Sequence, residues 1–193
     1  MHLQEIVFAT HNNNKLKEIQ QMMPEHIQLR SLTDIGCYDE IIENASTIEG
    51  NAKIKADFVF NNYGLPCFAD DTGLLVDELN GAPGVMTARY AGETKSAAAN
   101  MDKLLTELAN KENRKAHFKT VIHFRNASTS QAFTGICKGE ILTAKKGEKG
   151  FGYDPIFQPE NYTLSFAEMD ATTKNKISHR ALAFKEFLKF LSF

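Results

Sequence analysis

Residues 115–125 read KAHFKTVIHFR, and the pattern of that stretch repeats every two residues. Ala116, Phe118, Thr120, Ile122 and Phe124 fall on one side, and Lys115, His117, Lys119, His123 and Arg125 fall mostly on the other. That alternation predicts a half-exposed strand. The polar segment Asn126–Thr129 predicts a turn, and Ser130–Cys137 an antiparallel partner beyond it. His117 and His123 share the polar side without a third ligand at metal spacing, so both read as surface residues.

Helical spacing takes over on either side of this hairpin. Toward the C-terminus, ALAFKEFLKFLSF (181–193) sets Phe184, Phe187, Leu188 and Leu191 on one stripe. Ser178 is placed to cap that helix, with Ile177 and Leu182 as a hydrophobic staple. Upstream, Ser96 caps a helix whose Ala98, Met101, Leu104, Leu105 and Leu108 line one side. A further helix is predicted from about Ile48 to Tyr63, with Gly64 just past its end. Pro66–Ala69 predicts a short strand ending in the turn Asp70-Asp71-Thr72-Gly73. Near the start, the strand Ile6–Ala9 leads into Thr10-His11-Asn12-Asn13-Asn14 and then a helix from about Lys15. Leu16, Ile19 and Met23 share one face of that helix, and Pro24 ends it. Helices near both ends with strands between them predict an α/β or α+β domain around a mixed sheet.

Composition agrees with an ordinary globular chain. In 193 residues there are 22 Lys+Arg against 24 Asp+Glu, a formal net charge of −2, with 42% hydrophobic and 24% charged residues. This length predicts one domain over 1–193, and no linker, repeat or low-complexity tract divides it. The charge balance argues against duplex nucleic acid as the main ligand. No apolar run approaches the ~20 residues of a membrane-spanning helix. MHLQEIVFAT reads as a strand rather than a signal peptide, and three scattered cysteines without a C-x-x-C read as reduced thiols, so a cytoplasmic location is expected.

Four polar clusters stand at the ends of predicted elements. In the first, Thr10–Lys15, backbone N–H groups before a helix suit a phosphate, and an Asn-rich turn can form a nest of such donors. The plainer alternative is an Asn-capped helix with a solvated Lys15. In the second, Asn51 and Lys55 lie one turn apart on a helix face, with Lys53 nearby. The third is Asp70-Asp71-Thr72-Gly73. Adjacent carboxylates repel unless they share a cation, and magnesium takes one or two carboxylates, with water and phosphate oxygens completing its shell. Glu43, in the acidic loop 39–49, is the preferred acidic partner. The alternative is a carboxylate-capped turn. In the fourth, Phe151-Gly152-Tyr153-Asp154 offers two aromatics to stack on a base and a carboxylate to accept from it. Lys174, His179 and Arg180 bring positive charge. Lys15 and Arg180 both fall at helix starts, where the macrodipole disfavours a cation. Local rules broken without local compensation point to a binding site.

Taken in order, ATHNNNKLKE, GNAKIKA, FADDTGLLVDELNGAPGVMTARYAG, GFGYDPIF, SFAEM and KNKISHRALA resemble the inosine triphosphate pyrophosphatase family over essentially the whole chain. The resemblance implies an elongated, two-lobed α/β fold with a long central mixed sheet flanked by helices, a substrate cleft between the lobes, and usually a homodimer. It implies Mg²⁺-dependent hydrolysis of ITP, dITP and XTP between the α and β phosphates, giving the monophosphate and pyrophosphate. By the same resemblance, Thr10, His11, Asn12, Asn13, Asn14, Lys15 and Lys55 grip the triphosphate. Asp71 accepts the proton of the attacking water and contacts magnesium, with Asp70 beside it, and Glu43 stands where another metal ligand is usual. Thr72 touches substrate, while Phe151, Gly152, Tyr153, Asp154, Lys174, His179 and Arg180 hold the nucleoside. Three other readings are weighed against it: a pyrophosphatase of canonical or modified pyrimidine triphosphates on a similar fold, a nucleotide sensor that has lost catalysis, and a structural module whose polar clusters are ordinary caps.

Overall fold

The computed structural model describes residues 4–191. In chain order the regular elements are β1 (Gln4–Phe8), α1 (Asn13–Met22), β2 (Ile27–Ser31), α2 (Ile48–Tyr63), β3 (Cys67–Val76) and β4 (Pro83–Gly84). They continue with α3 (Ala97–Glu107), β5 (Lys115–Arg125), β6 (Ser130–Ile141), β7 (Phe157–Pro159), α4 (Ala171–Ile177) and α5 (His179–Leu191). The strands form one mixed sheet in the order β2-β1-β3-β5-β6-β7, with β4 paired to β3. β1 runs parallel to both β2 and β3, whereas β4 is antiparallel to β3 and β7 to β6. The fold is therefore α/β with a mixed sheet, one of the two classes that the alternation of periods predicts and the one that the resemblance implies. None of the helices among the described residues is long and apolar enough to cross a membrane.

The chain divides into two compact units. Among the described residues, unit 1 comprises 4–71, 120–134 and 183–191; unit 2 comprises 72–119 and 135–182. In unit 1, the parallel register of β1 on β3 sets Phe8 against Phe68, whose rings stack with centroids 4.6 Å apart. Phe187 of α5 closes on Phe68 at 4.9 Å and is itself fully buried. Burial of each such phenyl stabilises by roughly 1.5–3 kcal/mol. A second cluster in unit 1 packs Val7, Leu32, Ala56, Val59 and Cys67, which explains the small residues on α2. Unit 2 has its own core of Leu74, Leu104, Phe118, Ile156, Phe157 and Phe166, with Tyr153 among them.

α2 keeps its predicted bounds because both ends are specified locally. The Thr47 hydroxyl accepts from the Gly50 N–H, and Gly64 takes the left-handed conformation at φ 66°. α1 begins earlier than expected, at Asn13, since the Asn12 side chain caps it. β3 differs most: Asp70-Asp71-Thr72-Gly73 is not a turn but the middle of a ten-residue strand. Pairing with β1 at one end and β4 at the other keeps it extended, and lysines from two helices face its carboxylates. α4 lies where sequence periodicity predicts no helix. Asp170 caps it through the Thr173 N–H, and Ser178 both ends α4 and accepts from the Ala181 N–H of α5.

His123 is not a surface residue. β5 alternates only as far as Thr120; from there to Phe124 every residue is buried, because that part of the strand belongs to unit 1 and both its faces are covered. The His123 ring hydrogen-bonds the Ser130 hydroxyl at 2.8 Å, and burial lowers its pKa.

Candidate active site

In unit 1, β3, the start of α1, the middle of α2 and the loop before α2 bring two lysines and three carboxylates into ion pairs. Lys15 Nζ lies 2.9 Å from Asp70 Oδ1, and Asp70 is 1% exposed. Lys55 Nζ lies 2.9 Å from Glu43 Oε2 and 3.9 Å from Asp71 Oδ1. Burial of Asp70 and Lys15 is therefore compensated charge for charge, and removal of either partner would strand the other. The neighbouring carboxylates on β3 point to different cations, which lowers their mutual repulsion. Burial pushes the Asp71 carboxyl above the usual carboxylate range. Lys55 and Lys15 pull it back down, whereas Glu43 and Asp70 push it further up.

The segment carrying Glu43 is held against α2. Asn51 Oδ1 accepts the Ala45 N–H at 2.9 Å, and Gly50 makes close approach possible, since a Cβ there would stand 2.6 Å from the Ala45 methyl. Asn51 and Gly50 thus place the acidic loop, and Lys55 faces it one helical turn later. Lys53 takes no part: it is exposed and pairs with Asp57. The phosphate-type turn has its own architecture. Asn12 Oδ1 accepts from the N–H groups of Asn14 and Lys15, the Thr10 hydroxyl accepts from the Asn12 N–H, and His11 Nε2 bonds the Asp39 carbonyl at 3.1 Å. Asn12 is therefore a helix cap, while Asn13 and Asn14 are exposed.

Among the described residues no three His, Cys, Asp or Glu side chains converge as a preformed metal cage. The donor set that does converge is a pair, Glu43 and Asp71, on one ammonium. A pair of oxygen donors, with side chains 35% and 14% exposed, fits a hydrated Mg²⁺ that completes its shell with water and phosphate.

Of the predicted nucleoside residues in unit 2, Tyr153, Asp154, Lys174, His179 and Arg180 are buried, and Thr72, Phe151 and Gly152 are half-buried. Asp154 Oδ2 accepts from Lys174 Nζ at 2.8 Å and from the Phe151 N–H at 2.8 Å. Gly150 at φ +73° is needed there, because a Cβ would lie 2.0 Å from that carboxylate oxygen. Lys174 also stands 5.3 Å over the Phe151 ring, and the Arg180 guanidinium 5.5 Å over it, so the ring is held by two cations. Arg180 Nη2 donates to the Thr72 hydroxyl at 3.3 Å, while His179 stacks on Phe118 with centroids 4.4 Å apart. The expectation that both aromatics stack on a base narrows to Phe151. Tyr153 is 4% exposed, packed in the core of unit 2, and donates its hydroxyl to the Thr87 carbonyl. A cavity of about 550 Å³ elsewhere in unit 2, lined by Lys115, His117, Lys138, Glu140 and Tyr162 among others, contains none of the predicted site residues.

Sequence reasoning missed Thr87 and the anchoring role of Asn51. Nothing in a linear pattern marks a residue whose partners come from distant turns.

A model described as the Ham1 family matches residues 6–190. A dITP/XTP pyrophosphatase of Christiangramia forsetii is 56% identical, over 97% of this chain and 98% of its own. One from Flavobacterium johnsoniae is 54% identical, over 97% of each chain. Among solved structures, the Staphylococcus aureus Ham1 protein superposes with a TM-score of 0.90 at 37% identity, over 98% of each chain.

Proposed function

This chain belongs to the Ham1 family, and on that premise we propose that it is a nucleotide house-cleaning hydrolase. It hydrolyses ITP, dITP and XTP to the monophosphate and pyrophosphate, so that deaminated purines stay out of DNA and RNA. The observation that carries this reading is the convergence of Glu43 and Asp71 on Lys55, beside the Asp70–Lys15 pair.

The roles follow from the chemistry of those side chains. Lys15, Lys55 and the 10–14 turn bind the triphosphate and offset the charge that builds on its oxygens. Glu43 and Asp71 would hold Mg²⁺, which would supply Lewis-acid polarisation of a water and neutralise phosphate charge. Asp71 takes the proton of the attacking water. Thr72, Phe151, Asp154, Lys174, His179 and Arg180 serve the nucleoside. Hypoxanthine and xanthine present an acceptor at position 6 where adenine presents a donor. Donors supplied by Arg180 or His179 pair with the first and oppose the second. The active form is a homodimer in the cytoplasm, where the nucleotide pool is.

The test is product analysis after incubation with Mg²⁺ and ITP, dITP, XTP or ATP. Inosine monophosphate plus pyrophosphate from ITP, with ATP nearly untouched, is the expected result. Inosine diphosphate plus orthophosphate would place the cut at the γ phosphate and overturn the reading.

A further inference from the structure

Thr87 lies outside the residues assigned above, on the turn that follows β4, and three hydrogen bonds converge on it. Its hydroxyl accepts the Leu74 N–H at 2.9 Å and donates to the Gly84 carbonyl at 2.6 Å. Its carbonyl accepts the Tyr153 hydroxyl at 2.9 Å. Leu74 stands two residues beyond Thr72 on β3, so both point to the same face, and Thr72 receives the Arg180 guanidinium. Tyr153 immediately precedes Asp154, the carboxylate that holds Lys174 and the Phe151 N–H. One residue thus fixes both segments that carry the nucleoside residues of unit 2.

The turn bearing Thr87 is itself anchored from behind. Asn100 of α3 is 3% exposed, and its amide donates to the Ala88 carbonyl at 3.0 Å and accepts the Ala91 N–H at 2.7 Å. Residues 88–91 are therefore clamped on both sides. Burial raises the Tyr153 phenol far above physiological pH, so it remains a donor to Thr87 throughout. A rigid post that bonds two separate segments of a site is what pre-organisation requires: the groups that read a ligand are placed before it arrives.

We propose that Thr87 is the positioning residue of the nucleoside half of the site, setting the spacing between Thr72 with its Arg180 partner on one side and Phe151–Asp154 on the other. This rests on the functional reading above. Thr87→Val keeps the shape and removes the hydroxyl, Thr87→Ser keeps the hydroxyl, and Tyr153→Phe removes only the phenolic donor.

The experiment measures kcat and KM for ITP together with inhibition by inorganic tripolyphosphate, which offers phosphates and no nucleoside. In Thr87→Val and Tyr153→Phe, KM for ITP is expected to rise about tenfold while kcat stays within about threefold. The tripolyphosphate inhibition constant stays at the wild-type value, and Thr87→Ser restores KM. A role in stability alone would lower the melting temperature and leave KM unchanged. That result, a parallel rise in KM and the tripolyphosphate constant, or a failure of Thr87→Ser to restore KM would overturn the proposal. If Thr87→Val does not fold, Tyr153→Phe decides by the same comparison. Wild-type protein that turns over no inosine nucleotide would sink the functional reading instead. Calorimetric binding of inosine monophosphate to the same variants would then judge Thr87 by itself.

Discussion

Lys174 Nζ lies 2.8 Å from Asp154 Oδ2, with the two side chains only 9% and 5% exposed. The pair is far enough from water that each charge depends on the other. Asp154→Ala leaves a buried ammonium without its main counter-charge, and the expected loss is about 3 kcal/mol in a urea melt. Combined with Lys174→Met, the double variant recovers at least about 1 kcal/mol relative to the sum of the singles. Strict additivity would mean that the pair does not act as a unit.

Asp71→Asn tests both catalysis and the cost of burying a charge. Turnover is expected to fall by at least about 10³-fold, with ITP binding retained. The folded-state pKa of Asp71 is raised, so in the window above the ordinary carboxylate value the folded protein binds more protons than the unfolded chain. Stability therefore falls as pH rises through that window, and the full cost of the buried charge is present above it. In metal-free protein, Asp71→Asn is expected to raise the melting temperature at pH 8, and the gain vanishes below the ordinary carboxylate value. An equal gain at both pH values would contradict the assignment of the cost to Asp71.

Lys55 sits on both proposed metal ligands, so it competes with a cation for them. Mn²⁺ titration without nucleotide, followed by electron paramagnetic resonance, is expected to show binding about tenfold tighter in Lys55→Met than in wild type. Lys53→Met removes the same charge from the exposed face of α2 and is expected to leave Mn²⁺ binding within about twofold, since Lys53 pairs with Asp57. Equal tightening in both would reduce the effect to net charge.

Arg180→Ala removes a guanidinium that holds both Phe151 and Thr72. KM for ITP is expected to rise about tenfold and the preference for ITP over ATP to narrow, measured as the ratio of kcat/KM. An unchanged ratio would take Arg180 out of base reading.

All three thiols are buried, and burial pushes Cys67 and Cys137 up to about 12. Native protein at pH 8 is expected to react with a disulfide dye far more slowly than urea-unfolded protein, in which three thiols per chain are titrated. Rapid native reaction would show that these sites open readily.

Elements with local specification were legible in the sequence. α2 and β5 have their predicted bounds, because Thr47, Gly64 and a two-residue sequence period act within a few positions of where they stand. The four clusters were legible for a related reason: cations at helix starts and adjacent carboxylates violate local preferences, and such violations show in a linear pattern. What tertiary structure alone decided is partnership. Asp70-Asp71 reads as a turn by itself and becomes mid-strand once Lys15, Lys55 and the neighbouring strands are in place. His123 reads as exposed until unit 1 covers both faces of β5, and Tyr153 reads as a stacking platform until its hydroxyl reaches Thr87, 66 residues away. Local sequence determines conformation over one or two turns. Burial and charge pairing depend on which distant segments fold against it.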